Sequence, residues 1–155
     1  MRYLTLIIFA ILFSCKGQKK AAMENGDGQN DDFGSLTLVL QDNYSGSITP
    51  DTLIIKDSKT LQKFFSKVNR TRKPGIPVPE VDFAQEMILI LCSGEQSVGR
   101  QVSLSLAAEN DEELILKTTA IETTKEKSAS TALVSPFSVY KMPLTHKRIS
   151  FEKEQ

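Results

Sequence analysis

The alternation of apolar and polar positions predicts a chain built mostly of strands. Leu36-Thr37-Leu38-Val39-Leu40 and Val102-Ser103-Leu104-Ser105-Leu106 place leucine at every second residue, the mark of a strand buried on one face. Glu113 to Ile121 repeats the pattern, with Leu114, Leu116, Thr118 and Ala120 on one side. Two runs, Thr52-Leu53-Ile54-Ile55-Lys56 and Met87 to Cys92, are continuously apolar and read as central strands covered on both faces. Ala132-Leu133-Val134 and Phe137-Ser138-Val139-Tyr140 read as a strand interrupted by Pro136. Proline has no N–H for the ladder, so an edge or a bulge is expected there. Arg148-Ile149-Ser150-Phe151 is the last extended stretch, and Asn110-Asp111 reads as a hairpin turn.

One segment follows a helical period. Leu61, Phe64, Phe65 and Val68 fall at i, i+3, i+4 and i+7, with Asp57 or Ser58 able to cap the start. Both phenylalanines then share a stripe that packs on a sheet. Pro74-Gly75-Ile76-Pro77-Val78-Pro79 follows as a stiff extended crossover, its Pro-x-x-Pro spacing too weak to define a docking motif. In Val81-Asp82-Phe83 the carboxylate can accept backbone N–H groups two residues on, forming an Asx turn that launches the next strand. Val81 and Phe83 pack beneath it. The expected fold is a mainly β (α+β) single domain, an antiparallel β-sandwich or partly rolled sheet with one amphipathic helix. Its core is expected from Leu38, Leu53, Ile55, Phe64, Phe65, Leu89, Leu91, Leu104, Leu116 and Phe137.

The first residues carry a different pattern. Arg2 precedes the apolar run Tyr3 to Phe13, then Ser14 and Cys15. A helix of that length covers roughly 16 Å, about half a bilayer core, so the run is too short to anchor by spanning. A basic tip, a short apolar segment, a small residue and a cysteine are the layout of a bacterial lipoprotein signal. Residues 1–14 are expected to be removed and Cys15 to carry lipid, each buried methylene adding about 0.8 kcal/mol of membrane affinity. Residues 15–33 read as a tether poor in apolar residues and rich in glycine, leaving 34–155 for the domain. Lys16 stands where an inner-membrane-retained lipoprotein often has aspartate, which favours the outer membrane.

Charge and cysteine content narrow the chemistry. The chain has 19 basic and 19 acidic residues, and removing Arg2 leaves the mature form at a net of −1. Phosphate binding needs a concentrated basic face, so nucleic acid is not an expected partner. Arg70-Thr71-Arg72-Lys73 and Lys125-Glu126-Lys127 read as solvated loops. With lipid on Cys15, Cys92 is left without a disulfide partner, and its place at the end of an apolar run makes it a buried small hydrophobe. The acidic turn Glu109 to Glu113 lacks the spacing of a calcium loop. His146 is the sole histidine, too few for a zinc site, and no nucleophile elbow, phosphate loop or dinucleotide fingerprint appears. We therefore expect no enzyme activity, no metal and no cofactor.

From Thr52 onward the order of landmarks is itself a signal. A strand and a Phe-rich helix lead through the proline-rich link to Val81-Asp82-Phe83 and Met87-Ile88-Leu89-Ile90. Then come Gly94-Glu95, Gly99, a polar hairpin, a Thr/Ser-rich loop, Thr131 to Pro136-Phe137 and Lys141-Met142-Pro143. This order resembles the PrcB-like family, named for a lipoprotein subunit of a protease complex. The resemblance implies a small β-rich domain that supports a partner protease. Family members tend to have Gly-Gly-Tyr after the Gly-Glu loop, whereas this chain has Gly99, Arg100 and Gln101, so any contact made there differs.

The candidate partner-binding residues are Gln96, Ser97, Val98, Gly99 and Arg100, with Glu122 to Thr131 as a second loop of interest. The expected function is that of a non-catalytic, lipid-anchored envelope protein that binds and stabilises a partner such as a protease complex. The alternative is a loop-based protease inhibitor or a small-ligand-binding β domain.

Overall fold

The computed structural model describes residues 36–98, 100–122 and 132–153. The chain divides into two units, residues 1–30 and 31–155, and every described residue belongs to the second. The signal segment, Cys15 and the tether lie outside the described residues.

The elements are β1 (Thr37–Asp42), β2 (Asp51–Ile55), α1 (Ser58–Val68), β3 (Glu86–Cys92), β4 (Gln96–Ser97), β5 (Arg100–Glu109), β6 (Glu113–Glu122), β7 (Leu133–Val134), β8 (Phe137–Pro143) and β9 (Arg148–Lys153). A 3-10 turn, Asn69–Thr71, follows α1. Among the described residues the strands form a sheet in the order β1-β8-β3-β2, a second in the order β5-β6-β9, and a ribbon of β4 and β7.

The four-stranded sheet is the middle layer. On β3, Ile88, Ile90 and Cys92 join Leu61, Phe65 and Val68 of α1, while Met87, Leu89 and Leu91 join Leu104, Leu114 and Leu116 of the second sheet. Period-two alternation thus feeds two cores, which is why β3 is continuously apolar and wholly buried from Met87 on. Phe65 is fully buried, a burial worth about 1.5–3 kcal/mol. Phe64 meets Phe65 and Phe137 edge-on, with centroids 5.6 and 5.3 Å away.

Local chemistry sets the entries and exits. Asp57 caps α1, its carboxylate accepting from Thr60 N at 2.8 Å and Thr60 Oγ1 at 2.7 Å. These two bonds hold its pKa below the ordinary carboxylate value. At the other end, Asn69 clamps the crossover: Nδ2 donates to Ile76 O and Oδ1 accepts from Ile76 N, both at 2.8 Å. Asp82 makes the expected Asx turn, accepting from Ala84 N at 3.0 Å, and Val81 and Phe83 pack on the helix-side core. The β5–β6 hairpin turns at Asn110, whose Oδ1 accepts from Glu112 and Glu113 N.

Four expectations need correction. Leu38 is 47% exposed rather than core. The ladder slips between Leu38 and Leu40, and this bulge inverts the phase of β1, sending Leu36 to one core and Leu40 to the other. The apolar β2 is an edge strand, with Ile54 exposed, not a central one. Pro136 marks neither an edge nor a bulge. It separates β7 from β8, and β8 lies inside the sheet between β1 and β3. The sandwich is antiparallel except at β6–β9, which pair in parallel. The link after β8 crosses to the other sheet, and Arg148 N meets Glu112 O at 2.9 Å, so β9 enters beside the start of β6.

Candidate functional site

The predicted loop lies beside the end of β1 and the start of β8. Gln96 and Ser97 form β4 and pair with Val134 and Leu133 of β7, Val98 is in a turn, and Arg100 begins β5 opposite Glu122. Gly99 lies outside the described residues. Gln96 Nε2 donates to Arg100 O at 2.6 Å, drawing the two ends of the loop together. Of the second loop, Glu122 is the last residue of β6, and 123–131 lie outside the described residues.

A glycine fixes the base of this loop. Gly94 has φ of 74°, and a Cβ there would stand 2.8 Å from Pro50 N and 2.9 Å from Ile48 O. No side chain fits. The close approach lets Glu95 N donate to Ile48 O at 2.9 Å, tying the loop to the segment that leads into β2. Ile48, Val98 and Leu133, all carried by these linked segments, are 75%, 48% and 67% exposed. Single exposed apolar residues are ordinary, whereas several carried on linked segments are a candidate contact surface.

Beside the loop is a cleft of about 370 Å³. Its floor is Phe137 and Ser138 at the start of β8, one wall is Gln41, Asp42 and Asn43 at the end of β1, and the other is Val98 with Arg100, Gln101 and Val102. Gln101 Nε2 donates to Gln41 Oε1, and Gln41 Nε2 donates to Ser138 Oγ at 3.1 Å, so an amide relay spans the two sheets across the cleft. At the rim, Arg72 forms a two-point ion pair with Asp42, with Nη1 2.9 Å from Oδ2, and its guanidinium lies 5.8 Å from the Tyr44 ring centroid. Asp42 Oδ1 also accepts from Tyr44 N at 2.9 Å. A second depression, about 390 Å³, lies at the opposite end of β1 and is lined by Glu86 and Lys141, which pair at 2.9 Å.

The groups present suit recognition by shape and hydrogen bonding. The cleft offers amide, hydroxyl and guanidinium groups, and the Phe137 ring beneath it is turned into the helix-side core against Phe64. Ser45 N donates to Ser135 O at 2.6 Å and Gly46 N to Ser135 Oγ at 3.2 Å, so the buried Ser45 and Ser135 are engaged with backbone, as the buried Ser138 is with Gln41. Cys92 is buried in the helix-side core, and burial pushes its thiol pKa up, against thiolate formation. His146 is exposed on the β8–β9 link. Among the described residues no three His, Cys, Asp or Glu side chains converge to hold a metal ion, and no helix is long and apolar enough to cross a membrane.

The sequence indicated the loop but not the opposing wall. Gln41, Asp42 and Ser138 come from strands remote in sequence, and nothing in the spacing of these polar residues predicts that sheet packing brings them to Gln101. A scan against models of known protein families found no match, and searches of curated proteins and of solved structures found none either.

Proposed function

We propose that this protein is a non-catalytic, lipid-anchored component of a bacterial cell envelope, attached to the outer membrane through Cys15, that binds and stabilises a partner protein. The observation that carries this reading is the exposed apolar trio Ile48, Val98 and Leu133 beside a polar cleft at the loop end of the sandwich. Apolar anchors beside hydrogen-bonding groups are the composition of a protein interface. The order of sequence landmarks that resembles the PrcB-like family supports an envelope protease as that partner.

The mechanism is mass action. Binding the folded partner and not its unfolded chain stabilises it by RT ln(1 + [L]/Kd), about 2.7 kcal/mol at a free concentration 100 times Kd. A partner that is itself a protease then loses activity more slowly. An inhibitor acting through the same loop produces the opposite sign. Following the turnover of the captured protease over hours, with and without added lipoprotein, tests this: prolonged activity supports the proposal, and immediate reduction of turnover replaces it with inhibition. Lipid anchoring is tested apart, by membrane fractionation of Cys15→Ser. Release to the soluble fraction is expected, and retention overturns the anchor.

A further inference from the structure

We infer that the outer face of α1 and the turn after it form a docking surface for anionic phospholipid headgroups. Lys56 to Lys73 holds seven basic residues, and Asp57 is its sole acid. Two of the seven are engaged: Arg72 pairs with Asp42, and Lys56 Nζ donates to Thr145 O at 3.2 Å. The other five, Lys59, Lys63, Lys67, Arg70 and Lys73, are exposed and form no ion pair with a described carboxylate. Asp57 is committed to the helix cap.

The placement is one-sided. Lys59, Lys63 and Lys67 are at i, i+4 and i+8, so successive members advance by about 40° and stay on one stripe. That stripe lies opposite Leu61, Phe65 and Val68, which enter the core. Arg70 and Lys73 extend it beyond the helix. A merely solvated helix face usually mixes charges of both signs. Of the two basic clusters expected to be loops, residues 70–73 follow directly on this stripe, while 125–127 lie outside the described residues. The β5–β6 hairpin, across the middle layer from α1, holds five acidic and two basic residues, with Glu109 and Glu113 paired to Lys147 and Arg148.

A membrane suits this face better than the alternatives. The exposed residues of α1 are Ser, Thr, Gln and Lys, with no aromatic on which bases could stack. Choosing the membrane rests in part on lipidation at Cys15, which keeps the domain within about 75 Å of a bilayer even with the intervening residues fully extended. At that range a weak patch meets a high local headgroup concentration. The resulting pose puts α1 against the lipid and turns the second sheet away from it.

The test separates the patch from the anchor. The mature chain with Cys15→Ser, Lys16→Gln, Lys19→Gln and Lys20→Gln carries neither lipid nor a basic tether, so its partition onto phosphatidylcholine–phosphatidylglycerol vesicles reads the domain, with pure phosphatidylcholine vesicles as reference. Binding to the anionic vesicles only is expected, despite a net negative protein. It should fade as salt shortens the Debye length from roughly 10 Å near 0.1 M to roughly 3 Å near 1 M. Combining Lys59→Gln, Lys63→Gln and Lys67→Gln should weaken it on the order of 100-fold, taking each cation as worth about fivefold. Lys147→Gln with Arg148→Gln should leave it unchanged. Equal binding to both vesicle types, or undiminished binding by the triple variant at an unchanged Tm, overturns the inference. So does tighter binding to an oligonucleotide or an acidic peptide at the same salt. Failure of lipidation at Cys15 appears separately, in fractionation of the unmodified sequence, and leaves the vesicle result standing.

Discussion

The hydroxyl of Tyr140, on the middle sheet, accepts the backbone N–H of Leu104, on the facing sheet, at 2.9 Å. β5 is an edge strand, and every second N–H along it points away from β6. At Leu104 that direction leads into the core between the sheets, where an unpaired donor is costly. Tyr140 satisfies it and pins the sheets together just inside the candidate cleft.

Removing that oxygen should therefore cost more than one hydrogen bond usually does. Tyr140→Phe strands a buried N–H, and we expect a loss of about 1–3 kcal/mol in urea denaturation. A cost near zero would mean that water or a backbone shift replaces the phenol.

Burial raises the pKa of Tyr140 above its ordinary value of 10.0 and that of Cys92 above 9.0. Both groups hold their protons more tightly folded than unfolded. Their contribution to stability is complete below the unfolded values and is lost as pH rises from about 9 upward through the folded ones. Asp57 acts in the opposite sense. Its folded pKa is lowered, so its contribution is present above 3.8 and is lost as pH falls through the folded value. Denaturation midpoints against pH should bend at both ends, with Asp57→Asn flattening the acid limb and Tyr140→Phe the alkaline one. Unaltered limbs in these variants would contradict the assignment.

Gly94→Ala should be destabilising by more than roughly 1 kcal/mol, because a left-handed φ and a backbone overlap coincide there. The damage should be local to the loop, visible as faster amide exchange at Glu95. A neutral substitution would show that the contact with Pro50 relaxes freely.

Asn69→Leu removes both halves of the clamp on Ile76, and about 1–3 kcal/mol is expected from the partly buried backbone groups left behind. Gly75→Ala is a gentler probe of the same place. A Cβ there would lie 3.0 Å from Asn69 Cγ, so the amide must shift to admit it. If thermal melts of both variants match that of the unsubstituted protein, the clamp does not hold the crossover.

What the sequence made legible follows from how local each signal is. The helix, the Asp82 turn, the Asn110 turn and the double burial of β3 rest on residues within a few positions of one another, and each was readable. The bulge at Val39 was not, because leucines at 36, 38 and 40 look the same whether or not the ladder slips between them. The position of β2 at an edge was hidden for a related reason: an apolar run reports burial of one core face and says little about neighbours on either side. Pro136 was misplaced because the switch of the chain from the β4–β7 ribbon to the middle sheet is a tertiary event. In the cleft, Gln96 to Arg100 was readable as a loop, while Gln41 and Ser138 reach Gln101 only through packing of the sheets. The basic face formed in the same way, from a helix stripe and a turn that look separate in sequence.

Partner binding at the loop end is the central claim, and one comparison tests it most directly. The full-length protein and its Val98→Asp, Arg100→Gly double variant are each captured from mild-detergent envelope extracts, and what co-purifies is identified by mass spectrometry. The account predicts one near-stoichiometric envelope protein, such as a protease, with the unsubstituted protein and its loss with the variant at an unchanged Tm. Recovery of the tagged protein alone, or equal recovery of the partner with both proteins, would contradict it.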